Sequence, residues 1–224
     1  MSKYIDLSHT LHDGIPAWNL SCGFHQRTSI DYEECKTDLR FRVQEFSCPA
    51  GIGTHMYVPA HCFPGTMTID QFPIEQCRQP CVVLDVSASI HENYVLSVAD
   101  IENFEKQYGL IPNDTLVIVY TGWSQYWNTP KHYHNQLVFP SVSVEAAVYL
   151  LKRNISGLGI DTLSPDAGNS HFGVHEKLLS ANKYIIENIA HAELLPAVGA
   201  DVMILPLKIE NGTEAPVRLV GIIK

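Results

Sequence analysis

Several features that would assign this chain to a broad class of proteins are scarce or missing. Its 224 residues contain 15 Lys and Arg against 24 Asp and Glu, a formal charge of −9. Nucleic-acid binding needs a basic surface, so this composition argues against a nucleic-acid partner. No apolar run approaches the about 18 residues of a membrane span, and the first residues contain no apolar secretory core. We therefore expect a cytoplasmic protein with no membrane partner.

Common catalytic and metal motifs are also missing. The six cysteines form no Cys-x-x-Cys pair of the kind that starts a structural zinc site, and we interpret them as free thiols. There is no Gly-x-Ser-x-Gly elbow and no P-loop, and Gly157-Leu158-Gly159 lacks the third glycine of a dinucleotide motif. These absences argue against serine hydrolase, nucleotide hydrolase and dinucleotide-dependent chemistry.

The apolar pattern predicts mainly strands. With 46% hydrophobic and 17% charged residues, the chain has the composition of one globular domain spanning residues 1–224. Continuous apolar runs at 81–86, 116–120 and 158–161 are typical of strands buried on both faces. Other segments predicted to be strands are 3–8, 41–46, 202–207 and 217–222.

Two helices are predicted from their start signals. Ser97 and Ser143 are suitable N-caps for helices that continue to about Tyr108 and Asn154. Strands with a few intervening helices indicate a single-domain α/β fold of mixed pairing, with more β structure than a doubly wound sheet.

The segment 51–61, Gly-Ile-Gly-Thr-His-Met-Tyr-Val-Pro-Ala-His, is a candidate site. If it is extended, alternate residues share one face, so His55, Tyr57 and His61 project to the same side. A lone histidine on a strand is more often structural than catalytic. Two histidines on one face, with Gly-Thr before the first, favour a functional site.

A second cluster follows at 161–166, with His171, His175 and Glu187 after it. His175 and Glu187 are 187 − 175 = 12 residues apart, which is about 18 Å along one helix. A shared metal ion therefore requires a break, and we expect a new helix starting near Ser180 or Asn182 and carrying Ile185, Ile186 and Ile189. The alternative is that Glu187 is a surface residue of this helix.

The order of these motifs resembles the cyclase family of metal-dependent hydrolases, which includes bacterial kynurenine formamidases and isatin hydrolases. The matching segments run nearly from end to end: 5–11, 51–61, 120–123, 159–166, the His175–Glu187 spacing and 216–218. The resemblance implies a swivelling β/β/α (cyclase-like) domain that forms a homodimer or homotetramer. It also implies hydrolysis of small N-formyl or cyclic amides with zinc or manganese.

By position, His55, His175 and Glu187 match metal ligands of this family, and His61 matches the general acid/base residue. Gly51 and Tyr57 depart from it, because the family has a histidine and a bridging aspartate there. Glycine has no donor atom, and a phenol is a poor ligand at neutral pH because its pKa is near 10. A normal two-metal site is therefore not expected.

Three interpretations remain open. One divalent ion, zinc or manganese, could lie on His55, His175 and Glu187, an arrangement known in catalytic zinc sites, with His61 moving the proton. Replacement ligands could come from His171, Asp166, Cys48 or Cys62. In the third interpretation no metal binds, and Tyr57 fills the space in a non-catalytic protein that binds a small molecule.

We favour a metal-dependent hydrolase of a small amide, formamide or lactam, similar to an arylformamidase, with an altered or mononuclear site. Trp18 and Trp123 are candidate walls of an aromatic substrate pocket, since such pockets are mostly apolar; both could equally be core residues.

Overall fold

A computed structural model describes residues 2–19, 23–89 and 91–224. The strands are β1 (Lys3–Asp6), β2 (His25–Ile30), β3 (Val43–Ser47), β4 (His55–Tyr57), β5 (Arg78–Asp85), β6 (Val95–Leu96), β7 (Leu116–Tyr120), β8 (Ser141–Val142), β9 (Gly157–Ile160), β10 (Tyr184–Glu187), β11 (Ala200–Pro206) and β12 (Glu214–Ile223). The helices are α1 (Val98–Tyr108), α2 (Pro130–His134), α3 (Val144–Lys152) and α4 (Gly173–Ser180).

The main sheet closes on itself. Its strand order is β1-β12-β11-β5-β7-β9-β10-β4, and β4 also pairs with β12. Strands β5, β7, β9 and β10 are parallel neighbours, whereas β11, β12 and β4 pair antiparallel. The result is a barrel-like sheet of mixed pairing, which confirms the predicted α/β fold.

Alternate residues of the parallel strands enter two different cores. Val83, Ile118 and Ile186 face an inner core with Met56 and Ile204. Their neighbours along the strands face an outer core under the helices: Val82, Leu84, Val117, Val119, Leu158 and Ile185. Strands buried on both faces need continuous apolar runs, which is the pattern seen at 81–86 and 116–120.

The two predicted helices cover the outer core. Ser97 and Ser143 accept hydrogen bonds from the backbone N–H groups of Asp100 and Ala146, as expected of N-caps. Helix α1 ends at Gly109, whose φ of +91° lies in the region that favours glycine. Ala147 and Leu150 of α3 are fully buried against the sheet, so this amphipathic face fixes the helix on the barrel.

The helix predicted to carry Ile185 and Ile186 is wrong, and the extended form considered for 51–61 holds only in part. Residues 184–187 form strand β10 and not a helix, because Ile185 and Ile186 pair with β9 on one side and β4 on the other. Glu187 is therefore buried at the end of a strand. The segment 51–61 is extended only over β4, and Pro59–His61 forms a 3₁₀ turn, as the proline at its first position favours.

The cysteines of the described residues are free thiols. They are Cys35, Cys48, Cys62, Cys77 and Cys81, whereas Cys22 lies outside the described residues. Within the described ranges, no helix has both the length and the apolar character needed to span a bilayer.

Candidate functional site

The candidate residues meet where β4 pairs with both β10 and β12. His55 stands opposite Glu187 of β10, and Tyr57 stands opposite Glu214 of β12. Strands β10 and β12, which are distant from β4 in sequence, therefore each place a carboxylate beside β4. This register, and not any local motif, assembles the site.

A buried hydrogen-bond network fixes the turn before β4. The Asn188 side-chain amide donates to the Gly53 carbonyl at 2.9 Å, and the Thr54 hydroxyl donates to the Asn188 carbonyl at 2.6 Å. Tyr133 donates in turn to the Asn188 side-chain oxygen at 2.8 Å. Because these groups are buried, their hydrogen bonds must be satisfied within the protein, which holds His55 in one position.

His55 and Glu187 form a buried pair. The Gly53 carbonyl can only accept, so His55 Nδ1, at 2.8 Å from it, carries a hydrogen. His55 Nε2 lies 3.1 Å from Glu187 Oε2, although the contact lacks hydrogen-bond geometry and leaves Nε2 without a partner. Burial lowers the pKa of His55, but attraction to Glu187 outweighs burial and the pKa is raised.

His175 approaches the same carboxylate from helix α4. Its Nδ1 donates to Asp166 at 2.8 Å, which directs Nε2 to within 3.5 Å of Glu187 Oε1. Asp166 also accepts the backbone N–H groups of Val174 and His175 at the start of α4. Burial raises the pKa of Asp166, but these hydrogen bonds outweigh it and the pKa is lowered. Asp166 is therefore a positioning residue that caps the helix and orients His175.

Tyr57 lies in the middle of the histidines. Its ring centroid is 4.8 Å from that of His55, 4.3 Å from that of His61 and 5.4 Å from that of His175. Burial, together with the charges of Glu187 and Glu214 and a hydrogen bond to Glu187, raises the pKa of the phenol well above its usual value. Tyr57 therefore stays protonated beside Glu187 and Glu214.

His61 has a different partner from the other two histidines. Its Nδ1 is 2.5 Å from Glu214 Oε2, and the two side chains are 33% and 21% exposed, so the pair remains accessible. The hydrogen bond from His61 lowers the pKa of the Glu214 carboxyl, which is ionised at neutral pH. A carboxylate that binds Nδ1 fixes the tautomer and leaves Nε2 free for proton transfer.

A cavity of about 480 Å³ opens beside these groups. His61, His175, Glu187 and Glu214 line it together with the aromatic rings of Trp18, Tyr57 and Phe172. The volume is in the range of small-molecule sites, and a mostly apolar wall with a few polar groups is their usual character. The cavity therefore has the size and lining of a site for a small ring compound beside the His61–Glu214 pair.

A metal ion does not fit these residues well. Gly51 has no donor atom, and the protonated Tyr57 phenol is a poor ligand. Across residues 2–19, 23–89 and 91–224, no group of three or more His, Cys, Asp or Glu side chains is arranged to hold an ion. His55 Nε2 and Glu187 Oε1 are buried and unpartnered, and His175 Nε2 lies 3.5 Å from the same carboxylate. Two histidines and one carboxylate are a donor set known in catalytic zinc sites, but the Tyr57 ring stands among them, 4.8 Å and 5.4 Å between centroids from His55 and His175. The assignment of His55, His175 and Glu187 as ligands of one ion stays a prediction.

Of the other residues singled out in the sequence, some line the cavity, and others lie in the core or at the surface. Trp18 lines the cavity, but Trp123 is 3% exposed and its indole N–H donates to the Tyr133 carbonyl inside a separate core, so Trp123 is a core residue. His171 is exposed and Cys62 lines the cavity. Cys48 packs beside the core around Trp123. Asp166 serves His175.

Sequence reasoning missed Glu214. It lies 214 − 61 = 153 residues after His61 and belongs to no motif with it. Only the pairing of β12 with β4 places it opposite Tyr57. The nearest sequence signal is the segment 216–218, two residues beyond it, which carries only family resemblance.

His9 gives a testable pH dependence beside this site. Its ring stacks on Trp127 at 3.8 Å, its Nε2 is unpartnered, and its backbone N–H donates to Thr54. Burial, together with the nearby charge of His191, lowers its pKa to about 3. A folded-state pKa below the unfolded value of about 6.5 means that stability is full above pH 6.5 and is lost as the pH falls towards 3.

We expect His9→Phe to remove part of this acid sensitivity while keeping the stacked ring. Between pH 7 and pH 4.5 the parent should lose about 2 kcal/mol more unfolding free energy than the variant, as measured by urea denaturation. His25→Asn, at an exposed histidine, is the control and should follow the parent. Identical slopes for the parent and His9→Phe would show that His9 does not titrate in this way.

Comparisons with known proteins agree with this architecture. A family model described as putative cyclase matches residues 5–167. An isatin hydrolase from Roseibium aggregatum is 27% identical over 186 residues, which cover 76% of this chain and 71% of that protein. A kynurenine formamidase from Geobacillus thermodenitrificans is 25% identical over 223 residues, covering 97% and 96%.

Two solved structures also match this chain over its whole length. Isatin hydrolase A from Ralstonia solanacearum superposes with a TM-score of 0.91 at 27% identity, covering 100% of this chain and 92% of that one. A structure described as a potential metal-dependent hydrolase with cyclase activity has the same fold, with a TM-score of 0.79 at 22% identity, covering 100% and 99%. Hydrolases, some of them described as metal-dependent, are thus what this chain is similar to.

Proposed function

The chain belongs to the putative cyclase family, and from this premise we propose that it hydrolyses a small amide, formamide or lactam, a non-peptide C–N bond. The observation that carries the proposal is the His61–Glu214 pair, 2.5 Å apart on the wall of the 480 Å³ cavity. The names of the isatin hydrolase and kynurenine formamidase relatives support this class of substrate.

His61 acts as the general acid/base. Glu214 binds Nδ1, so Nε2 takes a proton from water while the water oxygen forms a bond to the substrate carbonyl carbon. The tetrahedral intermediate then breaks its C–N bond, and Nε2–H returns the proton to the leaving nitrogen. A lactam yields a ring-opened amino acid, and a formamide yields formate and an amine.

The cavity positions the substrate for this step. Trp18 and Phe172, with ring centroids 5.8 Å apart, form an aromatic wall that suits a flat ring. The Tyr57 ring, in contact with His61, lines the cavity beside the acid/base pair. Holding a substrate within reach of His61 supplies the proximity on which catalysis depends.

Glu214→Gln tests the role of the carboxylate. The amide keeps the shape but cannot stabilise the imidazolium that forms when His61 takes the proton, so we expect kcat to fall by about 10²-fold. Isatin and N-formylkynurenine are the substrates to assay. Glu193→Gln, at an exposed carboxylate beside His191, is the control and should retain the parent rate; an unchanged rate for Glu214→Gln would contradict the assignment.

A non-catalytic small-molecule binding protein is the second candidate. It is favoured by the position of Tyr57, whose ring lies 4.3 to 5.4 Å from three histidine rings at the centre of the site. This candidate predicts that isatin-like compounds bind and are recovered unchanged. Turnover that depends on His61 would eliminate it.

We also propose a homodimer or homotetramer acting in the cytoplasm, without a nucleic-acid or membrane partner. The β2–β3 hairpin supports the oligomer, because all residues of its two strands are exposed and an isolated hairpin is marginally stable. Phe46 on this hairpin is 64% exposed. Light scattering after size-exclusion chromatography should give twice or four times the 25.0 kDa chain mass.

A further inference from the structure

Tyr57 fills the space between the histidines of this site. Its ring centroid lies 4.8 Å, 4.3 Å and 5.4 Å from those of His55, His61 and His175. Glu187 is 2% exposed, and a buried carboxylate requires compensating donors or charges. The two imidazoles nearest to it are those of His55 and His175.

Gly51 provides the room for the Tyr57 hydroxyl. A Cβ atom at residue 51 would lie 3.1 Å from Tyr57 Oη and 3.4 Å from both Cδ2 and Nε2 of His55. A contact of 3.1 Å is tighter than most Cβ contacts, so a side chain at 51 requires the phenol to shift by a few tenths of an ångström. The two residues that depart from the family signature therefore touch the same point in space.

The remaining contacts of Glu187 complete the arrangement. His55 Nε2 lies 3.1 Å from one carboxylate oxygen, and His175 Nε2 lies 3.5 Å from the other. Both imidazoles are directed inward by fixed acceptors on their Nδ1 atoms, the Gly53 carbonyl and Asp166. The carboxylate thus faces two imidazoles and a phenol, all of which belong to this chain.

We propose that Gly51 and Tyr57 are a coupled replacement for a metal ion: the phenol ring fills the space between His55 and His175, so this site binds neither zinc nor manganese. The proposal concerns what occupies the site and does not depend on hydrolysis. Its failure, seen as metal binding, is therefore distinguishable from failure of the proposed function, seen as absence of turnover.

The test is a back-substitution read by metal content. The full-length parent and Gly51→His/Tyr57→Asp are dialysed against Zn²⁺ or Mn²⁺, and the bound ions are counted by mass spectrometry and titration calorimetry. A Cβ at 51 lies 3.4 Å from His55 Nε2, and a carboxylate at 57 replaces the phenol, so the double variant gains two donors and has three clustered donors together with His55. We expect about one ion per chain in the double variant, as a three-ligand site supports, and none in the parent.

Two results would overturn the proposal. One is a parent that binds an ion stoichiometrically and loses it on His175→Ala. The other is a folded double variant that binds no ion, because residues 51 and 57 would then not be what excludes it.

A thermal double-mutant cycle tests the coupling even if the double variant fails to fold. Gly51→Ala should lower Tm clearly in the parent, where the new methyl group meets the Tyr57 hydroxyl. It should lower Tm less in the Tyr57→Phe background, where that hydroxyl is missing. Equal decreases in both backgrounds would show that residues 51 and 57 are independent and would overturn the coupling.

Discussion

Replacing His61 with alanine is expected to lower kcat for isatin or N-formylkynurenine by about 10²–10⁴-fold, the usual contribution of a general acid/base residue. His61 has no core role that would make the variant unfold, because its side chain is 33% exposed. Its loss removes the group that both accepts the proton from water and returns it to the leaving nitrogen. KM should change much less than kcat, since the aromatic wall that holds the substrate is intact.

A histidine outside the cavity provides the control for this prediction. His132 stacks on Tyr126 with a centroid separation of 3.9 Å and does not line the cavity, so His132→Ala should keep the parent rate. Comparable rates for His61→Ala and the parent would rule out His61 as the acid/base residue. Equal losses in both histidine variants would indicate a general effect on folding.

Replacing Asp166 with alanine is expected to lower the unfolding free energy by about 3 kcal/mol. The carboxylate is 3% exposed and accepts the N–H groups of Val174 and His175 as well as His175 Nδ1. Its removal leaves these buried donors unpaired, at about 1–3 kcal/mol for each unsatisfied group, and removes the cap of α4. For a chain of this size the loss corresponds to a decrease of roughly 10 °C in Tm.

Two variants separate the cap from general effects of charge. Asp166→Asn retains an acceptor for a backbone N–H but weakens the bond to His175, so its loss should be smaller than that of Asp166→Ala. Glu176→Gln, at an exposed residue of the same helix, should change Tm by less than a degree or two. Thermal unfolding followed by circular dichroism measures all three, and an unchanged Tm for Asp166→Ala would refute the capping role.

Much of the fold follows from local sequence signals. The apolar runs at 81–86 and 116–120 became β5 and β7, since a strand buried on both faces requires such a run. Helix α1 began after Ser97 and ended before Gly109, because the caps satisfy the free backbone groups at its ends. These elements depend on interactions within a few residues and can be read from the chain.

The site was only partly predictable, because its contacts are long-range. The alternation of residues predicted that His55 and His61 lie on the same side. The direction of His61 is set by the turn at Pro59–His61 and not by one extended strand. Ile185 and Ile186 were assigned to a helix, although strand pairing on both sides overrides helix propensity there. Glu214 was not found at all, since only the register of β12 with β4 brings it to His61.

The most direct test of this account is the initial rate of isatin or N-formylkynurenine hydrolysis by protein treated with a strong chelator. If His61 and Glu214 carry the proton transfer and Tyr57 takes the place of the ion, the treated and untreated proteins should react at the same rate. His61→Ala should abolish most of that rate. A rate that disappears on chelation and returns with zinc or manganese would contradict the account.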